Sequence, residues 1–265
     1  MQDTCPRVAT LLDRLLVKLG LNGRAVIPII LGFGCVTMAT ITTRLLGSKR
    51  ERIIAAALLG ITIPCSAQLG VILGMVAPLG PAYLAIYLLT IGAVFVAIGV
   101  IMEKVLPGRS TDLLIDLPVM RVPRLGNVLR KTYVRTVHFI KEAAPLFAVG
   151  AVSISLLQIS GLMLEIQDSF RPLVSGWLYL PPEAATAFIM GIVQHDFGAA
   201  ELYALPMAAG QTLVALVTIT LFVPIIASIM VILKERGFKD GLLIWLGSFV
   251  TALFVGGLLA RVITI

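Results

Sequence analysis

The stretch 60–74, GITIPCSAQLGVILG, is apolar enough to lie in a bilayer yet carries Pro64, Cys65, Ser66 and Gln68 at its centre. Proline lacks an N–H and clashes with the turn before it, so a helix breaks at Pro64 and leaves carbonyls without partners. Hydrocarbon supplies no water for them, and such a break is stable only around a cavity or inside protein. Cys65, Ser66 and Gln68 can therefore line a polar route, because a buried Gln is costly unless it is paired or faces a cavity. Hydrogen bonding between packed helices is the other reading of the same residues.

Outward from this stretch the whole chain has the same character. Of 265 residues, 58% are hydrophobic and only 13% charged, too little polar surface for a soluble domain of this size. Apolar segments fall at about 22–46, 53–76, 82–104, 140–160, 184–206, 211–233 and 241–263. Each is long enough to span, since about 20 residues cross the hydrocarbon, although some can be re-entrant. The expected fold is all-α: a polytopic helical membrane protein with broken or re-entrant gate helices. One transporter-like domain is expected over 1–265. Within it we read an amphipathic lead-in helix at 1–21, a first bundle at 22–104, a cytoplasmic loop and amphipathic helix at 105–139, and a second bundle at 140–265. The basic helix after Pro123 is expected to run along the membrane face and then turn into the 140–160 span. The polar connection 161–183 carries Trp177 and Tyr179, which suit the membrane interface.

The net charge of +7 follows from basic clusters beside the spans. Arg44, Lys49, Arg50 and Arg52 form one, eight residues between Lys104 and Lys141 a second, and Lys234, Arg236 and Lys239 a third. Such clusters mark the cytoplasmic side, so 76–82 and 161–183 fall outside. A full crossing by 184–206 would put the KERGFK loop on the wrong side; a re-entrant or broken 184–206 removes the conflict. No basic–aromatic surface pattern supports nucleic-acid binding. No phosphate loop, HExxH or CxxC pair is present, and no nucleophile–base arrangement suggests an enzyme.

Three further segments carry candidate chemistry. In 27–44, IPIILGFGCVTMATITTR, glycines weaken the helix before Cys35, and Met38 and Thr40 follow. A deprotonated cysteine at such an opening is a soft metal ligand, whereas buried Cys and Met are also ordinary packing residues. In 184–206 the centre reads HDFG. His195 offers an imidazole nitrogen, and Asp196 can neutralise a cation or orient the ring. An ionisable pair inside a span is costly, and function or a structural polar network must account for it. In 220–237, Pro224 interrupts an apolar run and Ser228 follows one turn later, which resembles the break at Pro64. Paired broken helices are a common transporter device.

CPRVATLLDRLLVKLGLNGRAVIPIILGFGC, TTRLLGSKRERI, PCSAQLGV, IDLPVMRVPRLGNVLRKTYVRTVHFIKEA and LFVPIIASIMVILKERG together resemble the membrane region of the bacterial ferrous iron transport protein B family, over most of the chain. The resemblance implies a polytopic core with two gate regions, shared with nucleoside transporters. It also implies Fe2+ as substrate, no permanently bound cofactor, and a GTPase domain that supports uptake. These 265 residues hold no such domain, so a separate GTPase or a complementary transporter subunit is the expected partner, with a homo-oligomer as another. The family gate motif resembles GCxVPxxMATR; here it reads GCVTMATITTR, which keeps Cys35 and Arg44 but has Met38 at the family's proline position. Ile225 stands where a cysteine follows the later proline, and HDFG replaces the basic–acidic residues common there. A purely cysteine-lined route is thus incomplete.

The expected function is the membrane component of a transporter for ferrous iron or a related divalent cation in the bacterial inner membrane. Cys35, Cys65, His195 and Asp196 are the expected metal ligands. Met38, Thr40, Pro64, Ser66, Gln68, Pro224 and Ser228 complete the pathway. A nucleoside-like organic solute transporter and a noncatalytic subunit of a split transporter are the alternatives.

Overall fold

The computed structural model describes residue 13 and residues 16–107, 125–193, 195–222 and 226–264. Most of the lead-in stretch, the loop from 108 to 124, and Pro224 with Ile225 lie outside these. So do the side chains of His195 and Asp196, whose backbone is helical.

The described chain is helical throughout. In the first half, α1 (Val26–Gly32) and α2 (Val36–Thr42) precede α3 (Lys49–Thr62), α4 (Ser66–Val76) and α5 (Pro81–Val105). Two further helices, α6 (Leu125–Ile159) and α7 (Leu162–Trp177), lead into the second half. That half contains α8 (Ala184–Val193), α9 (His195–Tyr203), α10 (Ala209–Phe222), α11 (Ile226–Arg236) and α12 (Phe238–Thr264). Three helical units are long and apolar enough to cross a membrane: Lys49–Leu79, Pro81–Val105 and Phe238–Ile263. The protein is an all-α polytopic membrane protein.

The segment 22–46 does not cross. Its two helices have seven residues each, about 10 Å apiece, against roughly 30 Å of hydrocarbon. Both of its ends lie at one end of the molecule. Asn22 bonds Glu51 at the start of α3, and Arg52 Nε donates to Leu46 O at 2.8 Å. The segment is a re-entrant hairpin whose tip, residues 33–35, reaches the start of α4 at Ser66, with Phe33 and Gly34 exposed. Length alone could not reveal this, because two half-helices contain as many apolar residues as one span.

The segment 184–206 is a hairpin of the opposite sense. Gly198 lies so close to the first limb that a Cβ there would come within 2.7 Å of Gly191 Cα and would strike Ala187 O. Residues seven apart in one helix cannot approach so closely, so the chain reverses near 194. Gln211 Nε2 donates to Tyr179 O at 3.0 Å and ties the two mouths of this hairpin together. Re-entry here removes the conflict over the KERGFK loop.

Each hairpin is followed by a broken helix and then a long one, and the two series match in register. Lys49–Thr62 and Ser66–Val76 become Ala209–Phe222 and Ile226–Arg236, each bound shifted by 160 residues. The same shift relates Pro64 to Pro224 and Cys35 to His195. The second copy is inverted. Lys49, which begins α3, lies 3.7 Å from Asp240, beside the end of α11. Arg50 Nη2 reaches Glu103 O near the end of α5 at 2.9 Å, so Arg44, Lys49, Arg50, Glu103 and Glu235 share one end. We call it the basic end.

The halves interlock by exchange. The return limb of the first hairpin, α2, packs on α11, and that of the second, α9, packs on α4. At the end of α10 Phe222 sits among Phe170, Phe188 and Phe249, with centroids 4.7 to 6.3 Å away, which fixes that end against α7, α8 and α12. The lead-in packs on the bundle, with Leu19 against Gly99 of α5.

Two expectations need correction. No turn separates a surface helix from the 140–160 span: α6 runs unbroken for 35 residues with Pro145 inside it. The 161–183 connection is mostly the helix α7, and Trp177 is more than an interface anchor. Its Nε1 donates to Leu253 O at 2.9 Å, and the Arg261 guanidinium lies 4.6 Å from its ring centroid.

Gly198→Ala should destabilise the protein by about 1–3 kcal/mol, because the obstructing atoms are backbone and cannot move aside. Gly92→Ala in α5, which meets nothing within 4 Å, should be neutral or stabilising by up to ~1 kcal/mol. Thermal unfolding of the purified variants in detergent measures both.

Candidate transport site at the helix breaks

The first hairpin is aimed at the first break. Phe33 and Gly34 leave the helix, and Cys35 takes an extended conformation with φ −151° before α2 begins. The backbone is extended again from Ile63 through Cys65 until α4 begins at Ser66. One carbonyl joins the two openings. Gly34 O accepts from Ser66 Oγ at 3.0 Å and from Ser66 N at 3.4 Å. The orphan groups of a hairpin tip and a proline break thereby satisfy each other, with Gly34 and Ser66 themselves exposed. Cys35 and Cys65 flank this contact; both are half-buried and neither is in a disulfide.

The remaining candidates separate into those beside this junction and those bound elsewhere. Met38 is half-buried on α2. Thr40 is fully buried, and its hydroxyl donates to Val36 O of its own helix at 2.9 Å. Pro64 is buried at the break. Ser228, on α11, is buried with its Oγ 3.0 Å from Thr37 Oγ1, a bond that ties the return limb of the first hairpin to the second broken helix. Gln68 is buried on α4, and its Nε2 donates to Thr220 Oγ1 at 3.5 Å. His195 and Asp196 begin α9, and α9 packs on α4, the helix that carries Ser66 and Gln68.

Tyr87 and Thr220 escaped the sequence reading, and Thr37 figured there only as one of the hydroxyls that follow Cys35. Thr220 Oγ1 donates to Leu216 O at 2.7 Å and lies 3.0 Å from Tyr87 OH, so one hydroxyl links α4, α5 and α10. Tyr87 was legible in principle. A tyrosine buried in an apolar span must find a partner for its hydroxyl, which predicts a polar group facing it. Thr220 was not, because threonine in a membrane helix usually bonds its own preceding turn and gives no sign of a second partner.

The expected ligands His195 and Asp196 have side chains outside the described residues, so the set is not brought together here. Among the described residues, no three His, Cys, Asp or Glu side chains come together to hold an ion. What the junction does offer is two thiols, backbone oxygens and hydroxyls around broken helix ends, with α9 alongside. Such a set suits weak, sequential contacts rather than a closed coordination sphere.

Thr220→Val should cost about 1–3 kcal/mol, since it strands the buried Tyr87 hydroxyl and the Gln68 amide. Tyr87→Phe in the same background should cost less than in the wild type, a non-additivity measured by a double-mutant cycle on unfolding.

The Gate family, described as nucleoside recognition, matches residues 4–79. The FeoB_C family, described as the ferrous iron transport protein B C terminus, matches residues 83–135. The Fe(2+) transporter FeoB of Methanocaldococcus jannaschii is 24% identical over 270 residues, covering 88% of this chain and 40% of that protein. The Helicobacter pylori FeoB is 32% identical over 154 residues, 56% of this chain and 24% of its own length. The Staphylococcus aureus FeoB is 28% identical over 179 residues, 64% of this chain and 27% of that protein. The chain therefore spans between about a quarter and two fifths of the curated relatives it matches. No solved structure gives a match. From its lead-in into α6, the chain is similar, in order, to the Gate family and then to the FeoB_C family.

Proposed function

We propose that this protein is the membrane component of a transporter for Fe2+ or a related divalent cation, with its path at the helix breaks. The observation that carries the reading is the Ser66–Gly34 junction, which sets the Cys35 tip of one hairpin against the Cys65 break of the neighbouring helix. An ion in transit sheds part of its hydration shell and needs replacement ligands that do not hold it permanently. Cys35 and Cys65 supply sulfur, His195 a nitrogen and Asp196 a compensating charge; Met38 and Ser66 are weaker members. The shift of 160 residues places His195 in the second hairpin where Cys35 stands in the first, so each tip contributes one ligand. Such a mixed set does not select Fe2+ over Mn2+, Co2+ or Zn2+ by ligand type alone. The basic end faces the cytoplasm of a bacterial inner membrane. Energy from nucleotide hydrolysis comes from a separate GTPase partner.

The second reading is a nucleoside-like organic solute. Two buried hydrogen-bonding sets near the breaks favour it, Thr37 with Ser228 and Gln68 with Thr220 and Tyr87, since a polar organic solute is held by such groups.

Anaerobic Fe2+ uptake into proteoliposomes separates the two, with Mn2+ and a nucleoside as competitors. For the metal reading, Cys35→Ser and His195→Ala should each lower uptake at least tenfold, roughly what the loss of even an outer-shell partner costs. Gly92→Ala, in α5 with nothing within 4 Å of the added Cβ, should leave it unchanged. Uptake unaffected by either substitution, or competition by the nucleoside and not by Mn2+, sinks the metal reading.

A further inference from the structure

Among the described residues, the ion pairs that join the two inverted halves lie at the basic end. Arg44, just past the return limb of the first hairpin, forks onto Glu235 at the end of α11. Its Nε donates to Oε2 at 2.8 Å and its Nη2 to Oε1. Lys49 and Asp240 form the second pair at 3.7 Å. Beneath them Arg236 is only 8% exposed and donates through Nη2 to Thr43 Oγ1. Its Nε is buried and has no acceptor among the described residues. Arg44 and Arg52 are close enough to oppose its charge, with Glu235 and Asp240 the compensating carboxylates.

These contacts act on one mechanical joint. The Arg44–Glu235 fork and the Arg236–Thr43 bond fasten the end of α2 to the end of α11, the same two helices joined deeper in the bundle by Thr37 and Ser228, and Lys49–Asp240 adds a tie between the starts of α3 and α12. Two opposing terms meet here. The fork is a two-point, charge-assisted contact with a nearly buried carboxylate, which favours the joined state. The buried guanidinium with an unsatisfied N–H disfavours it, because separating the helix ends would hydrate that group. We propose that the Arg44–Glu235 fork is a latch that closes the path toward the basic end by holding α2 on α11, and that Arg236 keeps this latch near balance. Opening swings the return limb away from α11 and uncovers the tip at Cys35. The proposal rests on the reading of that tip as part of the path.

The experiment measures the rate at which a membrane-impermeant maleimide labels Cys35 in the full chain held in nanodiscs without metal, in a Cys5→Ser, Cys65→Ser background. Arg44→Gln and Glu235→Gln should each raise the rate roughly fivefold, and the double substitution should raise it no further, as for two members of one pair. In about 1 M NaCl, where the screening length is roughly 3 Å, the parent protein should also label faster, which needs no altered latch residue to fold. Arg236→Met should label more slowly than the parent, because the penalty of the joined state is gone. Rates unchanged in both single variants and in salt, or additive in the double, overturn the latch. Faster labelling in Arg236→Met overturns the balancing role. Because no iron is present, faster labelling together with absent Fe2+ uptake sinks the cargo and leaves the latch. Unchanged labelling beside intact uptake does the reverse.

Discussion

The structure depends on the constraint that broken backbone in hydrocarbon must find partners within the protein. A hairpin tip and a proline break each leave orphan groups, and each alone would be prohibitively costly. Here they are paired: Gly34 O, at the tip, receives both Ser66 N and Ser66 Oγ, at the break. Two defects become one junction. The chain can therefore keep polar backbone and two thiols side by side, and the surrounding spans can remain ordinary apolar helices.

The inverted pairing of the halves follows from the same need. A hairpin cannot close its own tip, so each return limb packs on the second part of the opposite half's broken helix. Neither half is complete alone. The exchange also means that α2 on α11 and α9 on α4 are the natural moving joints. Their polar content is low and specific: one hydroxyl pair in the first, with a charged fastening at the membrane face where water can share the cost of separation. Glycine at 198 is required for the tight second hairpin, because its backbone lies on that of Ala187 and Gly191.

Much of the fold was legible from composition. The apolar runs, the proline breaks at 64 and 224 and the basic clusters indicate a helical membrane protein with interrupted helices. Charge placement also argued for re-entry at 184–206, since a full crossing would have inverted the KERGFK loop. The same argument was available for 22–46, whose Arg24 and Arg44 flank both ends, yet its unbroken apolar length made a span the simpler reading. The site was legible only in part. Cys35, Cys65, Ser66, Gln68 and Ser228 stand out as polar groups in apolar runs. Tyr87 does so only as a buried phenol that needs a partner, and Thr220 does not, because threonine hydroxyls in membrane helices usually bond their own backbone.

The sequence by itself determined that the chain lies in a membrane, where its helices must break, and which end carries positive charge. These properties are local: each follows from residue solubility, from the missing N–H of proline, or from the cost of moving charge across hydrocarbon. Only the tertiary structure decided that 22–46 turns back as well, that the second half is the first inverted, and that Arg44 meets Glu235 191 residues away. Pairings across that distance depend on which orphan group is matched with which, and local pattern does not encode the match.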